Sequence, residues 1–145
     1  MNHSSGITIV TGGLGDIGMS IARKLAGRGV SVTILDIPST EIGGQLCREA
    51  GTGIAYRQCD IRSRADVDAV LSSLGEIRAA IVNAGVVLGA PFIEWSEAAW
   101  HETIAVNLTG AFHVAQATTA IMLGQERGAN DVRGKICFTG SWTQN

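Results

Sequence analysis

The chain has 145 residues, 46% of them hydrophobic and 17% charged, a composition typical of a globular domain and not of a disordered chain. The formal net charge is -2 and the charges form no run of one sign, so we expect neither a nucleic-acid partner nor a membrane partner. Three scattered cysteines, Cys47, Cys59 and Cys137, form no C-x-x-C pair and indicate no metal site. The first six residues, MNHSSG, do not resemble a signal peptide, and we expect a cytoplasmic protein.

Apolar, β-branched runs alternate with amphipathic segments along the chain. Five such runs predict strands, at 7–11, 31–36, 53–60, 77–83 and within 134–141. Four segments of helical period lie between them, at about 17–28, 38–50, 63–74 and 97–123. The sequence Ser63-Arg-Ala-Asp66 resembles a capping box at the start of the third helix, and we expect Ser96 to cap the fourth.

This alternation predicts one α/β domain over residues 1–145, a doubly wound parallel sheet (Rossmann fold) that stops after the fifth strand. Nearly continuous apolar strands joined by helices indicate a sheet that is covered on both faces. Ligands of such sheets bind at the carboxyl ends of the strands. We therefore expect one rim to gather Asp36, Asp60, Asn83 and Ser141 with the turn after the first strand.

Glycines dominate the turn between the first strand and the first helix. Gly13-x-Gly15-x-x-Gly18 fits the dinucleotide fingerprint G-x-G-x-x-G, and an acidic residue ends the next strand. Bare backbone N–H groups in such a turn bind phosphate oxygens. A glycine-rich turn that holds no ligand is the alternative interpretation.

Asp36 ends the second strand, where a carboxylate can accept hydrogen bonds from both hydroxyls of an adenosine ribose. A 2′-phosphate would meet a like charge there, a repulsion of about 4 kcal/mol at 4 Å and an effective dielectric of 20, which solvent reduces. The next residue, Ile37, supplies no compensating cation. The sequence therefore favours NAD over NADP as the cofactor, with a plain strand-ending Asp as the alternative.

Asp16 places a carboxylate inside a turn suited to anions. We expect it at the N-cap of the first helix, where Asp is favoured and the helix dipole stabilises its charge by roughly 0.3–1 kcal/mol. Its side chain would then accept from the N–H groups of Gly18 or Met19 and point away from the cofactor. This arrangement would weaken phosphate binding slightly and leave the turn intact.

Five segments together resemble the short-chain dehydrogenase/reductase family. The sequence TGGLGDIG at 11–18 resembles the family's T-G-x-x-x-G-x-G turn with Asp in place of one Gly. The sequence NAG at 83–85 is similar to its N-N-A-G. The others, in the expected order, are CD at 59–60, VNLTGAFHVAQA at 106–117 and GKICFTGS at 134–141.

The resemblance implies an oxidoreductase that transfers hydride between nicotinamide and the carbon of a small-molecule alcohol or ketone. It implies catalytic roles for Asn107 and Ser141 and an adenine contact for Asp60. These three residues have plainer interpretations as a buried hydrogen-bonded amide, a turn residue and a helix cap. The implied cofactor-binding residues are Gly12, Leu14, Gly15, Asp16, Ile17, Gly18, Asp36, Ile37, Asp60, Ile61, Asn83, Ala84 and Gly85.

The resemblance also implies residues that this sequence lacks. The family's Tyr-x-x-x-Lys pair follows its catalytic serine, whereas here the only tyrosine is Tyr56, no lysine follows Lys135, and the sequence stops four residues after Ser141. We therefore expect the N-terminal, cofactor-binding portion of a dehydrogenase, inactive on its own. A non-catalytic dinucleotide-binding module or remnant is the alternative.

The helix expected at 97–123 resembles the family helix that packs against a partner subunit. Its apolar residues Ile104, Leu108, Phe112 and Ala115 are expected to form an exposed patch. The resemblance thus implies a homo-oligomer, a dimer or a tetramer, for the full-length form.

Overall fold

Strands and helices alternate in the order that the sequence predicts. The computed structural model describes residues 6–128 and 131–141, so the remaining residues of the predicted 1–145 domain lie outside it. The strands in the described residues are β1 (Ile7–Thr11), β2 (Val32–Asp36), β3 (Ile54–Gln58), β4 (Ile77–Val82) and β5 (Lys135–Phe138). The α-helices there are α1 (Asp16–Ala26), α2 (Thr40–Ala50), α3 (Arg64–Ser72), α4 (Glu97–Ile104) and α5 (Ala111–Leu123), with a short 3-10 turn at Phe92–Glu94.

The strands form one sheet in the order β3-β2-β1-β4-β5, and each neighbouring pair is parallel. The chain moves outward from β1 to β3, then returns to the other side of β1 with β4 and continues to β5. The predicted doubly wound parallel sheet of the Rossmann type is confirmed. The carboxyl ends of β1 and β4 meet where the strand order reverses, the place at which such sheets bind ligands.

Helices cover both faces of the sheet. On one face Ile9 of β1 packs in a cluster with Val114 of α5 and with α3. On the other face Val10 of β1 packs with Ala22 of α1 and Cys47 of α2. These five side chains are buried, at most 2% exposed. Successive strand residues therefore face apolar surroundings on opposite sides, which explains why β1 consists of buried or partly buried, β-branched residues, three of them apolar and two of them threonines.

Serine side chains cap three of the helices. The hydroxyl oxygens of Ser39 and Ser96 accept from the first turns of α2 and α4. Ser63 accepts from the backbone N–H of Asp66 at 3.2 Å, as the predicted capping box requires. The reciprocal half of the box does not form, because the Asp66 carboxylate accepts from the N–H of Asp60 at 2.6 Å instead. Asp66 thereby fixes the loop after β3 as well as the start of α3.

The predicted single helix over 97–123 is interrupted. A π-helical segment, Ala105–Gly110, separates α4 from α5. No proline marks the interruption in the sequence, and Gly110 at its end lies within a continuing apolar pattern, so periodicity did not reveal it. None of the helices within 6–128 and 131–141 has the length and apolarity that a membrane span requires.

Candidate functional site

A cavity of about 150 Å³ lies at the carboxyl ends of β1, β2 and β4. Most of its wall is backbone and apolar side chains, and the charged residues on it come from three separate elements. The sequence-predicted residues that line it are Gly12, Asp36, Ile37, Asp60, Ile61, Ala84 and Gly85. The lining residues that sequence analysis missed are Leu35, Cys59, Arg62, Val86, Glu102 and Val106.

The glycine turn between β1 and α1 packs closely against its own backbone and against Ala84. Gly12 has a φ of +60°, and a Cβ on it would lie 2.7 Å from Cα of Ala84. A Cβ on Gly18 would lie 2.6 Å from Cα of Gly13. A Cβ on Gly15 would meet only the Gly12 carbonyl oxygen, at 3.5 Å. The packing of the turn therefore requires glycine at 12 and 18, whereas position 15 leaves room for a ligand.

The predicted N-cap role of Asp16 is wrong. Helix α1 begins at Asp16 itself, and its N-cap is Gly15, which offers no side chain. The N–H of Met19, which Asp16 was expected to bind, donates to the carbonyl oxygen of Gly15 at 2.8 Å. A cap must stand before the helix in extended conformation, as Gly15 does, and an Asp one position later is already helical. Asp16 is exposed in the first turn, where the helix dipole still favours its charge.

The carboxylate of Asp36 holds the glycine turn against β2. Its Oδ2 accepts from the backbone N–H of Leu14 at 3.0 Å, and its Oδ1 accepts from the N–H of Ile37 at 2.8 Å. A carboxylate has about four acceptor positions, so each oxygen keeps one for a ligand. Asp36 is therefore more than a strand-ending residue, because it fixes the turn and still presents acceptors at the cavity.

Hydrogen bonds tie the residues after β4 to β1. The buried hydroxyl of Thr11 accepts from the backbone N–H groups of Asn83 and Ala84, at 3.0 and 3.1 Å. The Asn83 amide donates to the carbonyl oxygens of Thr11 and Gly12, at 3.2 and 3.3 Å. Its Oδ1 accepts from the Thr139 hydroxyl at 3.0 Å. Asn83 thus connects the glycine turn with the end of β5.

Asn107 lies in the π-helical segment and is exposed, so its interpretation as a buried amide is wrong. Its Oδ1 accepts from the backbone N–H of Val86 at 2.8 Å, and its Nδ2 donates to the Val86 carbonyl oxygen at 2.9 Å. The pair holds the segment after Gly85 against the helix. Ser141, the other predicted catalytic residue, is exposed beyond the end of β5. Neither Asn107 nor Ser141 lines the cavity.

A charged network, Asp60–Arg62–Glu102, borders the cavity. The guanidinium of Arg62 lies 2.7 Å from Asp60 Oδ2 and 2.8 Å from Glu102 Oε1. The hydrogen bond from Arg62 is the main cause of a lowered pKa at Asp60. Hydrogen bonds to both carboxylates raise the pKa of Arg62. Arg62 directly follows the predicted pair Asp60 and Ile61, but nothing in the sequence indicates Glu102 as its partner.

Cys59 also lines the cavity, yet its thiol is not a nucleophile. The residue is 1% exposed, and burial, with Asp66 and Asp60 nearby, raises its pKa to about 12. Because a thiol reacts as the thiolate, Cys59 is inert at neutral pH. It belongs to the apolar wall of the cavity.

The strand order, the tight glycine turn and the cavity at the carboxyl ends of the strands define a Rossmann-type α/β domain. The sequence profile of the short chain dehydrogenases matches residues 6–143, and the chain belongs to this family. The resemblance seen in the sequence is thereby confirmed. Members of the family bind nicotinamide dinucleotide cofactors, NAD or NADP.

The chain is similar to several oxidoreductases. It is 27% identical over 145 residues to 3-hydroxyacyl-CoA dehydrogenase type-2 of Drosophila melanogaster, covering 93% of this chain and 56% of that protein. It is 34% identical over 129 residues to D-threitol dehydrogenase of Mycolicibacterium smegmatis, covering 85% and 50%. The crystal structure of serine dehydrogenase from Escherichia coli matches with a TM-score of 0.81 at 28% identity, covering 93% and 62%. The chain thus spans about half the length of these curated relatives, and the proteins that it resembles are oxidoreductases.

Proposed function

We propose that this chain is the NAD-binding part of a short-chain dehydrogenase that transfers hydride between nicotinamide and the carbon of an alcohol or ketone. The observation that carries the proposal is the convergence of Gly12, Asp36, Asp60 and Gly85 on one cavity. A bound dinucleotide supplies the hydride carrier, and the residues of the chain hold and orient it.

The glycine turn and the start of α1 suit the pyrophosphate. The first N–H groups of a helix have no acceptor within the helix, and α1 has no side-chain cap. Gly15 leaves space in front of them. The N–H of Leu14 is already bound to Asp36, and that of Gly15 donates to the carbonyl oxygen of Gly12 at 3.3 Å, so the phosphate donors are those of residues 16–18. The exposed carboxylate of Asp16 opposes the phosphate charge and lowers affinity without blocking the turn.

Asp36 supports NAD as the cofactor rather than NADP. Its two remaining acceptor positions match the two hydroxyls of the adenosine ribose. A 2′-phosphate in the same place would meet the carboxylate, and the neighbouring Ile37 is an exposed apolar side chain. The base would then lie toward Asp60 and Ile61, and the nicotinamide half toward Ala84 and Gly85.

Asn107 and Ser141 are the candidate catalytic residues, but they do not supply a general acid or base. An amide does not titrate, and a serine hydroxyl is a weak acid. The only tyrosine, Tyr56, lies in β3, at the opposite edge of the sheet from β5. A positioned acid/base contributes about 10²–10⁴ in rate. We therefore infer that the 145-residue chain binds NAD without turning over substrate, which also fits a non-catalytic dinucleotide-binding module.

Calorimetry of the purified chain with NAD and NADP tests the proposal. We expect NAD to bind at least about tenfold more tightly, roughly 1.4 kcal/mol. Asp36→Ala removes both the acceptors for the ribose hydroxyls and the negative charge that would repel a 2′-phosphate. The difference in affinity between NAD and NADP should therefore become smaller. The same samples, assayed against secondary alcohols and ketones, should show no turnover.

Two results would count against the proposal. Equal or stronger binding of NADP by the unmutated chain contradicts the role of Asp36. Turnover by this chain alone would show that its own residues perform the acid/base chemistry, which the proposal assigns to a Tyr-x-x-x-Lys pair that this sequence lacks. The matched control is Asp68→Ala, since Asp68 is an exposed carboxylate on α3, paired with Arg64 and absent from the cavity lining.

A further inference from the structure

The guanidinium of Arg62 uses all three of its nitrogens in hydrogen bonds to two carboxylates. Its Nε lies 2.9 and 3.0 Å from the two oxygens of Asp60, and its Nη2 lies 2.7 Å from Oδ2. Its Nη1 lies 2.8 and 3.0 Å from the two oxygens of Glu102. The N–H bonds of a guanidinium lie in its plane, so both carboxylates lie along its edges. What Arg62 still offers to a ligand is chiefly its flat faces.

Arg62 borders the space available to a ligand. It lines the cavity at the carboxyl ends of the strands, together with Ile61 and Val106. It also lines a second, more open recess on the surface, which shares Ile37 and Asp60 with the first. The Arg62–Asp60 pair therefore borders both spaces, and the guanidinium is held in place by a carboxylate on each side.

The charge of the network favours a neutral ring over a phosphate. Arg62 carries one positive charge and its two partners carry one negative charge each, so the network has a net charge of about −1. Bidentate binding of a phosphate needs an edge with two free N–H groups; the edge formed by Nε and Nη2 is occupied by Asp60, and Nη1 is bound to Glu102. Stacking on an aromatic ring needs only a face, and arginine stacks readily.

We propose that Arg62 stacks on the adenine ring of the bound dinucleotide, with Asp60 and Glu102 fixing the orientation of its guanidinium. This inference rests on the proposed function, because it needs a dinucleotide in the cavity. Ile61 and Val106 then provide the apolar wall beside the ring. Glu102, which belongs to α4, links the base to the helix that continues into Asn107.

The test compares NAD with its deamino analogue, in which hypoxanthine replaces adenine and the exocyclic amine is lost. Calorimetry of the full 145-residue chain measures both ligands with Arg62→Ala, Arg62→Lys and the control Arg64→Ala. Arg64 has the same 40% side-chain exposure and an acidic partner, but it does not line the cavity. We expect Arg62→Ala to weaken both ligands roughly threefold to thirtyfold, the range typical of a guanidinium–ring contact. Arg62→Lys keeps the positive charge but lacks the planar guanidinium, so it should not restore the affinity. The control Arg64→Ala should bind both ligands as the unmutated chain does.

Each other outcome overturns the inference in a recognisable way. If Arg62→Ala weakens NAD but not the deamino analogue, Arg62 acts only by positioning Asp60 for the amine. If Arg62→Lys binds normally, charge and not stacking is what matters. If Arg62→Ala binds NAD as Arg64→Ala does, the inference fails while the proposed function stands. If the unmutated chain binds neither ligand, the proposed function fails and this inference fails with it.

Discussion

The hydroxyl of Tyr56 lies within hydrogen-bonding distance of two backbone carbonyl oxygens, those of Asp36 and Pro38. Tyr56 is 5% exposed, and this burial, with the Asp36 carboxylate nearby, raises its pKa to about 12 from an ordinary value of 10.0. Because the hydroxyl has one proton and two acceptors, the neutral phenol is the form that the fold stabilises. The hydrogen bonds also hold the end of β2, where Asp36 stands.

Tyr56 is therefore expected to ionise late, and its contribution to stability depends on pH. The pKa in the folded chain exceeds that in the unfolded chain, so the contribution is complete below pH 10 and is lost as the pH rises toward 12. Absorbance at the tyrosinate band checks this directly, since the sequence has a single tyrosine. A midpoint near pH 10 in the folded chain would contradict the burial described here, and a titration in denaturant provides the reference.

At the scale of one element, α2 carries two adjacent glycines with opposite surroundings. Gly43 is buried, and a Cβ on it would collide with the ring of Tyr56. A Cβ on Gly44 would meet only the flexible end of Arg48, at 3.4 Å. Helix α2 therefore needs glycine at position 43 to approach β3 closely. At position 44 no contact requires glycine.

The same substitution at these two positions should have opposite effects on the free energy of unfolding. Gly44→Ala should stabilise the chain by up to about 1 kcal/mol, because alanine is the better helix former. Gly43→Ala should destabilise the chain by about 1–2 kcal/mol, because overpacking against Tyr56 destabilises it more than the better helix propensity of alanine stabilises it. Urea denaturation of both variants measures the two values, each serving as the control for the other. A stabilised Gly43→Ala variant would show that Tyr56 moves aside freely.

At the scale of the whole molecule, exposed apolar side chains cluster on the helix that was expected to meet a partner subunit. Leu108 and Phe112 are 63% and 55% exposed, one helical turn apart, while Ile104 and Ala115 are partly buried. Phe138 on the edge strand β5 is 58% exposed. Patches of this kind promote association, and we propose that the chain self-associates through this helix.

Sedimentation velocity checks the association. The unmutated chain should sediment as a dimer or larger species at micromolar concentration, and Leu108→Glu with Phe112→Glu should shift it to the monomer. The matched control is Leu46→Glu on α2, an exposed leucine outside the patch, which should leave the association unchanged. A monomeric unmutated chain would rule out this surface as an interface.

The sequence predicted the features that depend on residues near one another in the chain. Strand and helix order follows from apolar periodicity, and Ser63 and Ser96 cap helices as predicted because capping is a contact across three positions. The third cap, Ser39, was not predicted. The prediction of Asp16 as an N-cap was wrong by one position, because the N-cap is the residue just before the first one with helical dihedral angles. Local patterns also predicted Asp36 at the end of β2, but not that it holds Leu14.

Only the tertiary structure decided the contacts that cross between elements. Arg62 and Glu102 are paired because the loop after β3 and helix α4 meet at the rim of the sheet. No sequence pattern around either residue predicts this pair. The amide of Asn107 turns to the backbone of Val86 because a π-helical segment places it there. Such pairs depend on strand register and on the packing of helices against the sheet, which distant parts of the chain set together. The sequence by itself therefore determined the sheet, its glycine turn and the residues that follow the strands, whereas folding determined which residues of other elements, such as Glu102, complete the cavity.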